Sequence, residues 1–126
     1  DKLVTGVQTC ALPISDLDKS IVYFANYKTK ADGRANYWSS RALKARVLLY
    51  AASWLGKTSI SSNADYAGKD LYALAKAEAD AVIGSGQFSF YDNYSDTWSM
   101  NNEDIIKNRE TIWGVTYSYD LKTNVM

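Results

Sequence analysis

The sequence predicts a mostly α-helical chain with a minor extended or β part. Three observations carry this. Residues 36–55 place Leu43, Val47, Tyr50 and Trp54 on one helical stripe and Ala42, Ala45, Leu49 and Ala52 on an adjacent one. Residues 64–83 are dominated by Ala, Lys, Glu and Leu, the strongest helix formers. Alternation built from aromatic or β-branched residues is confined to residues 87–91 and 111–117.

In chain order, residues 3–14 make a poor element. Gly6 interrupts the loose alternation of Val4, Val7 and Leu12, and Pro13 ends it, so the stretch is a weak edge strand at best. Thr5, Gln8 and Thr9 break the apolar run that a signal peptide needs, and Val7-Gln8-Thr9 before Cys10 lacks a lipoprotein cleavage pattern. Residues 16–24 read as a short helix. Ser15 and Asp18 resemble a capping box, and Leu17, Ile21 and Phe24 share a face. Residues 28–34, with Asp32-Gly33, form a polar turn.

The helix over 36–55 has a wide apolar arc and is expected to be buried on more than one side, with Gly56 as its stop. Arg41, Lys44 and Arg46 are assigned to a solvated face. After a loop in which Ser62 or Asn63 can cap, a helix is expected over 64–83. Ala73, Ala75, Ala77, Ala79 and Ala81 alternate like a strand, but helix propensity and length outweigh that. Leu71, Leu74, Ala75, Val82 and the surrounding small alanines would let the helix lie close to the preceding one as an antiparallel pair. Gly84-Ser85-Gly86 follows a helix instead of opening one, so it is a stop and not a phosphate loop. Residues 92–102 form an Asx- and aromatic-rich loop, residues 103–107 a helical turn, and residues 111–117 a strand.

Composition excludes several classes. Fourteen basic residues balance fourteen acidic ones, which gives no electrostatic footprint for nucleic acid or an anionic membrane surface. There is no histidine and Cys10 is the single cysteine, so ordinary zinc sites, disulfides, a Cys-His pair and His-based acid-base catalysis are all excluded within the chain. No apolar run reaches the roughly 18 residues of a membrane span. Ten Tyr and four Trp are too many aromatics for a disordered chain.

The opening stretch Val4-Thr5-Gly6-Val7-Gln8-Thr9-Cys10-Ala11-Leu12-Pro13-Ile14 resembles a short-read sequencing adapter translated in one frame, and Asp1-Lys2-Leu3 fits the primer bases just upstream. The resemblance implies that residues 1–14 are adapter-derived and not native, that residues 15–126 are the fragment to interpret, and that removing 1–14 changes stability by no more than about 0.5 kcal/mol.

A second resemblance runs through the remainder. Asp16-Leu17, then Gly33-Arg34-Ala35, then Ala42-Leu43-Lys44-Ala45-Arg46-Val47-Leu48-Leu49-Tyr50 follow one another in order. After them come Ala79-Asp80-Ala81-Val82-Ile83-Gly84-Ser85-Gly86-Gln87-Phe88, Asn102-Glu103 and Thr111-Ile112-Trp113-Gly114-Val115. This succession resembles the SusD/RagB family, with Phe88 standing where Tyr is common. The resemblance implies a tetratricopeptide-like helical hairpin scaffold, truncated here. It also implies a surface-exposed outer-membrane lipoprotein that captures oligosaccharides beside a TonB-dependent, SusC-like transporter and performs no catalysis. Signal and lipid anchor would then lie outside this fragment. No cofactor is implied.

Sugar capture uses aromatic faces against C–H surfaces, with amides and carboxylates on the hydroxyls. The loop over 91–102 supplies both. Tyr91, Tyr94, Trp98 and Asn101 are the candidate glycan-binding residues, supported by Asn93, Asp96 and Asn102. The competing reading has Tyr91 and Trp98 pinning the loop to the core while the Asx residues make turns. Asp92 and Asp96 lack the spacing of a calcium loop. Trp38, Trp54 and Trp113 are expected to pack in the core. Glu78 with Asp80, or Glu103 with Glu110, read as ordinary solvated carboxylates and not a glycosidase pair. The rival function is a helical-repeat module that binds a protein partner and no sugar.

Overall fold

The computed structural model describes residues 2–29, 34–99, 108–114, 116–118 and 123–125, with side chains described from residue 11 onward and not in the two strands. The chain is mostly helical. Helices α1 (Lys2–Tyr23), α2 (Tyr37–Leu55) and α3 (Leu71–Gly84) are followed by a 3₁₀ turn, Tyr94–Trp98. Two short strands, β1 (Thr116–Ser118) and β2 (Thr123–Val125), pair antiparallel with Thr116 opposite Val125. α2 is the central element and packs against both α1 and α3.

α2 forms where expected because its ends are chemically specified. The Asn36 side chain accepts the N–H groups of Trp38 and Ser39, both at 3.0 Å, and the Ser39 hydroxyl accepts the Asn36 N–H at 2.8 Å. This reciprocal box satisfies donors that the first helical turn leaves open. Gly56 closes the helix at φ +116°, a backbone setting that a side chain would strain.

Which face of α2 is buried differs from expectation. Leu48, Ala51 and Ala52 are buried and Val47 and Leu55 pack beside them, whereas Leu43, Tyr50 and Trp54 are exposed, Trp54 at 74%. Residues 48, 51, 52 and 55 have the same helical period as 43, 47, 50 and 54, rotated by one position. Both stripes are apolar, so the positions of α1 and α3 decide the choice. The expected core roles of Trp54 and Trp113 are corrected on this ground. Trp113 is 48% exposed, while Trp38 is half-buried and donates its indole N–H to the Lys28 carbonyl at 2.7 Å.

α3 starts later than the expected 64. Asn63 does cap, accepting the Asp65 N–H at 2.9 Å, but it caps only a turn, which ends at Gly68 with φ +71°. The helix proper begins after Asp70, whose carboxylate accepts the Tyr72 N–H at 3.0 Å. Leu71 donates its N–H to the Lys57 carbonyl at 2.7 Å, fixing the start of α3 beside the end of α2. Ser53 sits by Tyr72 and Arg41 by Glu78, so the two helices run antiparallel.

α1 departs furthest. It is one helix from Lys2 to Tyr23 and carries Pro13 inside it, so residues 3–14 are not an edge strand and Ser15 is an interior position, not a cap. Ile14 is fully buried among Leu48, Ile60, Leu71 and Ala75, with Ala11 packed alongside. Burial of Ile14 offsets the hydrogen bond that an interior proline removes. The expected boundary between residues 14 and 15 therefore falls within an element.

Beyond α3, residues 87–91 and 111–114 are irregular, so the expected strand over 111–117 is not formed in its first part. The expected helical turn at 103–107 and residues Asn101 and Asn102 lie outside the described residues. Among the described residues no helix is long and apolar enough to cross a membrane.

Candidate functional site

The aromatic loop is built as a short turn gripped from outside. The 3₁₀ turn Tyr94–Trp98 has no side-chain cap at Asn93 and no buried residue of its own. Segment 108–110 holds it. Glu110 accepts the Tyr91 N–H on Oε1 at 2.6 Å and the Thr97 hydroxyl on Oε2. Asn108, only 4% exposed, donates from Nδ2 to the Thr97 carbonyl at 3.0 Å, and its Oδ1 accepts the N–H groups of Glu110 and Thr111 at 3.0 and 3.1 Å.

The hydroxyl of Thr97 and the Tyr91 N–H, with the nearby Arg109 charge, hold the Glu110 carboxyl below the usual carboxylate range, against a smaller opposing effect of burial. Charged Glu110 accepts both donors at once.

The candidate residues separate into two roles. Tyr94 and Trp98 are exposed at 79% and 72%, with ring centroids 6.3 Å apart and planes at 64°, so they present two faces meeting at a corner. Tyr91 is half-buried instead. Its ring lies under the Arg109 guanidinium at 4.4 Å, and its hydroxyl accepts the Arg109 N–H at 3.2 Å. Asp92 and Asn93 are exposed beside the turn. Asn101 lies outside the described residues.

A second constellation went unread in the sequence. Lys44 Nζ lies 2.7 Å from Asp18 Oδ1 and 2.9 Å from Glu78 Oε1, Arg41 lies 2.9 Å from Glu78 Oε2, and Tyr66 donates its hydroxyl to Asp18 at 2.6 Å. The Lys44 and Glu78 side chains are only 12% and 13% exposed, which corrects the assignment of Arg41 and Lys44 to a solvated face; Arg46 does remain exposed. Burial works against the Lys44 charge, but hydrogen bonds to Asp18, Tyr66 and Glu78 together with the Glu78 charge outweigh it and raise its pKa. Burial and the bond to Asp18 push the Tyr66 phenol up to about 12. This layer ties α1, α2 and the turn before α3 into one unit. Glu78 is thereby occupied, and Asp80 is paired with Lys76 at 2.6 Å on the surface. Among the described residues no group of three or more His, Cys, Asp or Glu could hold a metal ion.

The third feature is an open apolar groove of about 540 Å³ between α2 and α3, floored by Ala42, Ala45, Ala75 and Ala79 and flanked by Leu49 and Ile83. It continues past Ile112 toward Leu43 and Trp113. No family model, no curated protein and no solved structure matches the chain.

Proposed function

We propose that this chain belongs to a non-catalytic oligosaccharide-capture protein whose contact with sugar is the Tyr94–Trp98 corner. The observation that carries the reading is that two large aromatic rings stand exposed on a turn whose backbone is held by buried Asn108 and by Glu110. Aromatic side chains left in water at a fixed angle suit the C–H faces of adjacent sugar rings, and exposed Asp92 and Asn93 supply acceptors and donors for hydroxyls. The antiparallel α2–α3 pair is in keeping with a tetratricopeptide-like hairpin. With the resemblance to the SusD/RagB family, the setting is the outer-membrane surface, the partner a TonB-dependent SusC-like transporter, and the membrane attachment a lipid anchor outside this chain.

Titration calorimetry of the chain against maltohexaose, cellohexaose, xylohexaose and mannohexaose tests the reading. At least one should bind, and Tyr94→Ala with Trp98→Ala should abolish it while the helical melt is unchanged. Absence of binding to the whole panel overturns it.

The second reading is a helical module that docks a protein, and the α2–α3 groove is what favours it. Exposed apolar side chains along a groove mark interaction surfaces. Leu49→Asp or Ile83→Asp would weaken such docking and leave sugar binding at Tyr94 and Trp98 intact.

A further inference from the structure

A five-residue 3₁₀ turn is too short to keep its own shape, because its hydrogen bonds are poorly aligned and few. Yet the rings of Tyr94 and Trp98 receive little packing and remain exposed. The two rings meet edge to face, and the backbone of the turn decides where each is rooted for that contact. Thr97, placed between the two rings in sequence, is the residue held most completely: its hydroxyl goes to Glu110 and its carbonyl to Asn108.

We propose that Glu110 and Asn108 are positioning residues that set the angle between Tyr94 and Trp98 by clamping Thr97 from the neighbouring segment.

The clamp has a definite construction. Glu110 spans the loop, one oxygen on the Tyr91 N–H ahead of the turn and the other on Thr97 near its end. Asn108 then fixes Glu110 by accepting its N–H, so the residue that grips is itself held by a buried amide. The Ser89 N–H donates to the Arg109 carbonyl at 3.0 Å, and Arg109 covers Tyr91, which anchors segment 108–110 to the chain leaving α3. Three consecutive residues thus make bonds to the chain ahead of the aromatic turn and to Thr97 within it. A preorganised corner loses less conformational freedom on binding than one that must be ordered by its ligand.

The inference rests on the sugar-capture reading only for its effect on affinity; the clamp itself is read without any sugar. The chain is labelled with 5-fluorotryptophan and the Trp98 fluorine resonance is assigned with Trp98→Phe. Glu110→Gln keeps the shape but removes the charge: its amide oxygen can still accept the Tyr91 N–H, while the Thr97 contact becomes a weaker neutral bond in which the hydroxyl accepts. Thr97→Val removes the hydroxyl, and Thr97→Ser keeps it. The expected result is a shifted and broadened Trp98 resonance in Glu110→Gln and Thr97→Val, a near-native one in Thr97→Ser, and unchanged Trp38 and Trp54 resonances in all three. Any hexasaccharide of the panel that binds should bind about tenfold more weakly to Glu110→Gln. An unchanged Trp98 resonance in both Glu110→Gln and Thr97→Val overturns the clamp. If no hexasaccharide binds the unaltered chain, the capture reading falls, and the fluorine spectra still decide the clamp.

Discussion

Replacing Ile14 by alanine removes three carbon atoms from a fully buried site whose neighbours Leu48, Ile60 and Leu71 come from three different parts of the chain. At about 0.8 kcal/mol per buried carbon the transfer loss is about 2.4 kcal/mol. A cavity bounded by α1, α2, α3 and the loop between the last two cannot collapse without moving a helix, so the total should be about 3 kcal/mol. Urea unfolding followed by far-UV circular dichroism measures it as a lower midpoint with the slope unchanged. Leu12→Ala, two residues away and 66% exposed, is the control and should change stability by less than about 0.5 kcal/mol. A loss at Ile14 equally small would refute the reasoning. It would mean that the first half of α1 does not pack and that the fold begins near Ser15, as the adapter resemblance expects. A loss of the expected size makes residue 14 part of the folded unit whatever encoded it, and residues 1–14 could not then be removed without cost.

The other predictions concern the two polar clusters. Glu78→Gln leaves Arg41 and Lys44 without their shared carboxylate at 2.9 Å; between the values for exposed and fully buried pairs the cost should be about 2 kcal/mol, read by urea unfolding. The same loss in a Lys44→Met background would mean the two are not coupled. Tyr66 has a folded pKa raised from 10.0 to about 12, so it contributes stability that is complete below pH 10 and lost as pH rises toward 12. Thermal melts should fall across that window, and Tyr66→Phe should make the fall shallower; an identical profile would contradict this. Glu110 has a lowered folded pKa, so its clamp is intact above the ordinary carboxylate range and released as pH falls through the folded value. The fluorine resonance of Trp98 should change in acid, and in Glu110→Gln that acid transition should be missing.

The helical class and the position of α2 were legible in sequence because both depend on neighbouring residues. Asn36 and Ser39 are three apart, Gly56 follows directly, and the apolar period lies between them. The stop at Gly84–Gly86 was legible for the same reason. The start of α3 was misplaced because Asn63 and Asp70 are both good caps. The positive φ at Gly68, which separates them, is not a property that the letters announce. The aromatic loop was found from composition, yet its division of labour was not. Tyr91 lies under Arg109 while Tyr94 and Trp98 stand clear, and that depends on residues up to 18 positions away.

By itself, then, the sequence determined the helical class, the span of α2, the stop after α3 and which chemistries a chain without histidine cannot perform. Only the tertiary structure decided which of two equivalent apolar stripes of α2 faces inward, that Lys44 and Glu78 are enclosed while Trp54 is exposed, and that Ile14 is core. The physical reason is common to all three. Periodicity says that a face exists, but burial is a relation between segments, and the partners of α2 are brought to it from α1 and α3 by packing that no local pattern encodes.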